Sequence, residues 1–264
     1  MSVKDRQVDD HAINEQRKTF VKTAGRYDYG PQSPRNIDLV QGGNKVIFSL
    51  APDYRQMNLC NIHFHAGAEH KGGEFTRYAG DGDGKGHNSG YLYTGSLSKN
   101  ELNPLATDVC RGQYRGINAG DTIEVHYVHT SAHVVPGEKL DSCFNEMNKN
   151  PQLRVEAQVY VLVNDDDAVD FEHFTNVDQK DGRYQVENIP ENTGTPVIYA
   201  GSTTGSSYNR KGSPFQVTWS IRPAVLKVNV ESVGRWCKDN IFEEDHAHGV
   251  RSLVTDLKLL SPID

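Results

Sequence analysis

A chain of 264 residues, 36% of them hydrophobic and 24% charged, is long enough for one large domain or two small ones and has the make-up of a soluble globular protein. It contains no apolar run of the roughly 18 residues that a membrane-spanning helix needs. A formal net charge of −7 excludes the basic footprint of a nucleic-acid-binding surface.

Residues 1–25 are polar and read as a weakly ordered arm or a short surface helix ahead of one domain over 26–264. They hold no apolar core of the secretory type, which leaves two compartments open. The protein is periplasmic or extracellular if a leader has been removed, and cytoplasmic otherwise. From Arg35 onward, short runs rich in β-branched and aromatic residues alternate with Gly, Asn, Asp and Pro turns. Residues 39–50, 59–67, 121–131, 154–165, 196–202, 215–221 and 225–231 each read as a strand. Seven strands with no regular helices between them predict a mainly β single domain on a large twisted, mostly antiparallel sheet. Helices are expected to be few and short, around 141–150 and 232–240. Gly72 to Asn118 forms a long irregular stretch, of the kind usually either functional or disordered. Its DGDGKG run lacks the full pattern of a calcium loop and reads as a turn. Cys60, Cys110, Cys143 and Cys237 contain no CxxC pair, which argues against a thiolate zinc site. They allow either two disulfides in any of three pairings or four buried thiols.

Of the eleven histidines, placement singles out a few. His63 and His65 stand at i and i+2 on a predicted strand, so they share a face while Ile62 and Phe64 take the other. On a second strand Glu124, His126 and Val128 share one face. If the two strands are neighbours, His126 completes a three-imidazole set, and Glu124 can accept the free ring N–H of a ligand. Three imidazoles with one open position is the arrangement of a catalytic zinc site. His70, His87, His129, His133, His173, His246 and His248 carry no such signal. The second HxH, at 246–248, lies in an acidic loop-like stretch without a strand face.

Four segments in order resemble the carbonic anhydrases, the alpha class and its more distant delta-class relatives. They are Gln32-Ser33-Pro34-Arg35-Asn36-Ile37-Asp38; His63-Phe64-His65 with Ala68-Glu69-His70; Glu124 to His129; and Tyr199 to Thr204 with Gln216-Val217-Thr218-Trp219. The resemblance implies His63, His65 and His126 as ligands of Zn2+, with Co2+ or Cd2+ as possible substitutes, and Glu124 as partner of a ligand. It implies that Thr203 orients the metal-bound hydroxide and passes its own proton to Glu69. Val128, Trp219 and Thr204 would line the substrate pocket. The implied reaction is reversible hydration of carbon dioxide to bicarbonate by metal-hydroxide attack, on a fold resembling that of the alpha class.

Several features depart from the alpha pattern and favour the delta class or a bacterial relative of it. Ala66 stands in place of a tryptophan, the Gly201–Ser207 loop is a residue shorter and leaves Thr203 and Thr204 open to a shift of one, and Gly72 to Asn118 is an insertion. No residue matches the alpha-class proton-shuttle histidine, which leaves His70, His87, His133 or solution buffer to carry the proton. Two rival readings remain. His63-x-His65-x3-Glu69 also fits a cupin, with Glu69 as an iron or manganese ligand. A carbonic-anhydrase-like binding protein without turnover is the other.

Overall fold

A computed structural model describes residues 10–263. Helix α1 (Asp10–Arg26) opens the chain. There follow β1 (Asn58–Ala66), the short β2 (Arg77–Tyr78) and β3 (Tyr91–Leu92), β4 (Thr122–Thr130), β5 (Leu153–Val163) and α2 (Phe171–Thr175). The order closes with β6 (Val177–Lys180), β7 (Arg183–Val186), β8 (Val197–Ser202), β9 (Gln216–Ile221), β10 (Leu226–Asn229) and α3 (Val230–Trp236).

Six strands form one sheet in the order β1-β4-β5-β9-β8, with β10 alongside β5. β5 is the organiser. One edge pairs with β4 over Leu153–Val161, while the other takes β9 over Leu153–Ala157 and β10 over Tyr160–Val163, both in parallel. The sheet is therefore mixed, with the antiparallel pairs β1–β4, β4–β5 and β8–β9 in the majority. β4 and β5 are buried at every position, which suits their runs of Val, Ile, Leu and Tyr.

The alternation of side chains splits the interior in two. Ile62, Phe64, Ile123, Val125 and Tyr127 join one core with Tyr160, Phe171, Val233 and Trp236. Val128, Val155, Ala157, Val159, Tyr199 and Trp219 join the other, on the face that carries Glu124 and His126. A bulge between Leu59 and Asn61 changes the alternation along β1, so that Leu59 packs with Ile62 and Phe64.

Four expectations change. Residues 39–50 form no strand. Gly42 lies so close to the 260–261 backbone that a Cβ would sit 2.2 Å from the Ser261 carbonyl, and Val40 and Ile47 point to solvent. The N-terminal segment, as far as it is described, is a full helix of 17 residues. Ile13, Phe20 and Ala24 form its narrow buried stripe, and Phe20 and Ala24 pack on Val254, Leu259 and Leu260. Only a 3-10 turn, Leu140–Cys143, occurs in the expected helix at 141–150. The run 225–231 is strand only to Asn229, whose side chain accepts a hydrogen bond from Ser232 N and starts α3.

All four cysteines are paired, Cys60 with Cys143 and Cys110 with Cys237. The second bridge ties the Gly72–Asn118 insertion to the end of α3 across 127 residues. Closing so long a loop in the unfolded chain is worth roughly 4–5 kcal/mol in the chain-entropy model. The double variant C110S/C237S is expected to melt about 10 °C lower than the parent when unfolding is followed by circular dichroism. An unchanged midpoint would show that the bridge contributes no stability.

Candidate metal centre

β1 and β4 pair with His63 opposite His126 and His65 opposite Glu124. The register thereby places three imidazoles on one patch of the sheet. His65 and His126 are buried, and His63 is partly open to solvent. One ligand atom from each lies within 4.8 Å of the others, so the group could hold a metal ion.

The outer nitrogen of each ring settles which inner nitrogen is free. His63 Nδ1 lies 2.6 Å from Asn61 Oδ1, and Asn61 is oriented by its own Nδ2 donating to the Gly137 carbonyl at 2.9 Å. His65 Nδ1 lies 2.9 Å from the Gly249 carbonyl, and His126 Nε2 lies 3.0 Å from Glu124 Oε1. All three partners accept, so each outer nitrogen carries the proton and each inner one presents a lone pair. His63 Nε2 and His126 Nδ1 then face each other at 3.3 Å as two lone pairs, and His65 Nε2 is buried with no partner. Three converging lone pairs need a cation, and a neutral three-nitrogen donor set fits zinc. Burial and the neighbouring imidazoles hold His63 well below its ordinary pKa, and burial takes His65 down to about 3. Both rings are therefore neutral, as ligands must be.

Glu124 is the hub behind this patch. Its Oε2 accepts from Glu69 N and His70 N at 2.7 and 3.1 Å, and its Oε1 faces His70 Nδ1 and His126 Nε2 at 2.7 and 3.0 Å. Burial alone would raise the pKa of Glu124, but His70 and His126 outweigh it and keep the carboxylate ionised. His70 Nε2 continues to the Tyr199 hydroxyl at 2.7 Å, and that hydroxyl to Ser33 Oγ at 2.9 Å. Trp219 closes the floor, with its ring 4.9 Å from His126 and 5.0 Å from His70. Val128 lies in the same core.

Glu69 and Thr203 are not hydrogen-bonded to each other. Glu69 Oε1 accepts from Arg251 N at 2.9 Å, its Oε2 is buried and unpartnered, and burial raises its pKa. Thr203 Oγ1 pairs instead with Ser213 Oγ at 2.6 Å. Thr204 is half-buried and its hydroxyl has no partner among the described residues. Gln32 holds this corner together, accepting from Ser213 N at 2.9 Å and Arg251 Nη2 at 3.2 Å. Glu69 approaches His65 on its Nδ1 side, at 3.6 Å, away from the converging lone pairs, so it is no member of the metal-binding group that the cupin pattern required.

The chain reading missed the C-terminal segment 246–251. It runs beside β1, with His248 N donating to the Phe64 carbonyl at 2.8 Å and Ala66 N to the His248 carbonyl at 3.0 Å. Its Gly249 carbonyl orients His65, its Arg251 N holds Glu69, and the His248 ring lies 5.3 Å from that of His63. The HxH spacing at 246–248 was the available signal, and an acidic sequence context concealed that the segment is extended. The DGDGKG run forms turns, with Asp83 Oδ1 accepting from Lys85 N and His87 N at 2.8 and 3.1 Å.

This is a β-sheet protein in which three imidazoles from two adjacent strands, with an open side at one of them, form a group that could hold a metal ion. Comparison with known families narrows this. The model described as delta carbonic anhydrase matches residues 54–232, and the chain belongs to that family. A solved structure of an alpha-carbonic anhydrase from Thermovibrio ammonificans, in complex with the inhibitor sulfanilamide, is similar at 14% identity over 86% of this chain and 84% of that one, with a TM-score of 0.30. No curated protein matches. Among the described residues no helix is long and apolar enough to cross a membrane.

Two outcomes are expected from this geometry. In Glu124→Gln an amide NH2 must confront donors that now surround a carboxylate, so His126 loses its anchor. Zinc affinity, measured by competition with a chromogenic chelator, should fall about 10- to 100-fold; unchanged affinity would show that Glu124 does not orient the ligand. The second concerns His129, buried beside Tyr54 with its pKa lowered to about 3 by burial. The unfolded chain takes up a proton at this position near pH 6.5 and the folded one does not. Stability from this group is therefore complete above about 6.5 and lost as pH falls towards 3, by up to ~5 kcal/mol. Urea unfolding between pH 7 and 4 should show a shallower loss in His129→Gln than in the parent, and equal slopes would contradict the assignment.

Proposed function

We propose that this protein catalyses the reversible hydration of carbon dioxide to bicarbonate, with zinc held by His63, His65 and His126. One observation carries the reading: in a chain of the delta carbonic anhydrase family, three imidazole lone pairs converge while every outer ring nitrogen is engaged by an acceptor. A zinc ion bound there would act as a Lewis acid that makes water nucleophilic at neutral pH.

The chain's own residues supply the rest. Glu124 fixes the tautomer and plane of His126. Trp219 and Val128 give carbon dioxide, an apolar molecule, an apolar wall beside the ligands. Glu69 offers an unpartnered carboxyl oxygen to a hydroxyl that orients the attacking oxygen. The family resemblance points to Thr203 for that hydroxyl, but its bond to Ser213 favours Thr204, one residue on. The catalytic unit is residues 26–264, with the N-terminal segment packed on its outside. Two disulfides favour an oxidising compartment, periplasmic or extracellular, over the cytoplasm.

The test is metal content by mass spectrometry together with stopped-flow hydration of carbon dioxide. About one zinc per chain, chelator-sensitive turnover and loss of both in His126→Ala are expected. Zinc without turnover would leave a binding protein of this family. Of the threonines, T204A should keep its zinc and lose roughly 100-fold in turnover, with T203A the milder variant. The reverse order would return the role to Thr203.

A further inference from the structure

Hydration of carbon dioxide releases one proton for each bicarbonate formed, and that proton must leave the centre. Of the sequence candidates, His70 is fully buried with both ring nitrogens engaged, by Glu124 and Tyr199. The His133 side chain has no hydrogen bond or ring contact to the centre among the described residues. A different set of rings does lead outward. His248 lies 5.3 and 5.8 Å from the rings of His63 and His65. His246 stacks on His248 at 5.2 Å and 23°, Tyr114 lies 4.9 Å beyond it, and His87 stacks on Tyr114 at 4.5 Å and 21°.

This ladder joins two stretches of backbone far apart in the chain. His87 and Tyr114 come from the Gly72–Asn118 insertion, which grips the C-terminal segment from two sides. Val250 N donates to the Gly86 carbonyl at 2.9 Å, and Arg111 pairs with His246 in an antiparallel bridge. Gly86 has φ +102°, and a Cβ there would lie 2.2 Å from the Val250 carbonyl, so only glycine permits this approach. Two carboxylates fix the rings, Glu244 Oε2 at 2.7 Å from His248 Nε2 and Asp245 Oδ1 at 2.6 Å from His246 Nδ1. The groups facing His246 are thus Asp245, Glu244 and His248 on its own segment, and Arg111, Tyr114 and His87 on the insertion. With its Nδ1–H held by Asp245, His246 has no partner at Nε2 among the described residues, and a quarter of its side chain (25%) is exposed.

We propose that His246 is the proton-transfer residue of this enzyme, receiving the proton across the rim at His248 and passing it to buffer. This rests on the hydration reaction proposed above. The proton released with bicarbonate adds to the Nε2 lone pair of His246 and then leaves to a base in solution, which returns the ring to its starting state. Imidazole suits this work because it gains and loses a proton near neutral pH.

His246→Ala separates the possibilities. The variant should bind zinc as the parent does and keep kcat/KM for carbon dioxide. In dilute buffer its kcat should fall at least about tenfold, with recovery in concentrated imidazole. A structural role would instead lower kcat/KM or zinc content and would not respond to imidazole. Independently of turnover, 15N NMR on the metal-free protein should show the neutral His246 ring as the Nδ1–H tautomer, with Nε2 bare to receive the proton. An Nε2–H tautomer, or full kcat of the variant in dilute buffer, would overturn the proposal while leaving the hydration reaction standing. A zinc-loaded parent that does not hydrate carbon dioxide would overturn both.

Discussion

The centre depends on the register between β1 and β4. Side chains on a strand alternate, so a slip of one residue would send His63 and His65 into the core of Ile62 and Phe64 and bring apolar side chains to the metal patch. The register is secured by burial on both faces of β4, because the exchange would place imidazoles in one core and expose the second. β5 secures it again from the far side of β4 along nine paired positions, Thr122↔Val161 to Thr130↔Leu153. Functional precision here is a by-product of sheet packing.

Once the register is fixed, the electrostatics follow from Glu124. A buried carboxylate is costly unless its oxygens are filled, and four donors fill them. Two of these are backbone N–H groups of Glu69 and His70, so the charge that orients His126 also fixes the turn after β1. Glu69 has one backbone donor and one empty oxygen, and burial pushes its pKa the other way. Two carboxyls a few residues from the same imidazoles are thus driven apart in acidity by their donors. The ionised one holds the His126 ring, and the other keeps one buried oxygen without a partner among the described residues.

Much of this was legible in the sequence, wherever local periodicity carries the information. The HxH and ExH pairs needed only the two-residue repeat of a strand, and their segments are strands in the structure. Six of the seven expected strands occur, and the one that fails, 39–50, has Gly42 pressed against the C-terminal backbone, a contact no local pattern announces. The parallel pairing of β5 with β9 and β10 was hidden for the same reason, since chain order does not reveal which edge a strand joins. The Thr203–Ser213 bond depends on a loop closure ten residues wide, and the disulfide pairing on which loops meet.

The C-terminal segment 246–251 shows best how context decides what a residue does. It follows the acidic run Glu243-Glu244-Asp245 and contains Gly249, so it is poor in the features that make a free-standing strand. It is extended because β1 is an edge strand with unpaired backbone groups, which Phe64 and Ala66 offer to His248. Covering that edge delivers the Gly249 carbonyl to His65 and the Arg251 amide to Glu69. The same pairing fixes the outward direction of His246 and His248, because their rings must alternate with Ala247, which joins the core. A backbone need at a sheet edge therefore brings the insertion, the C-terminal histidines and the metal patch together.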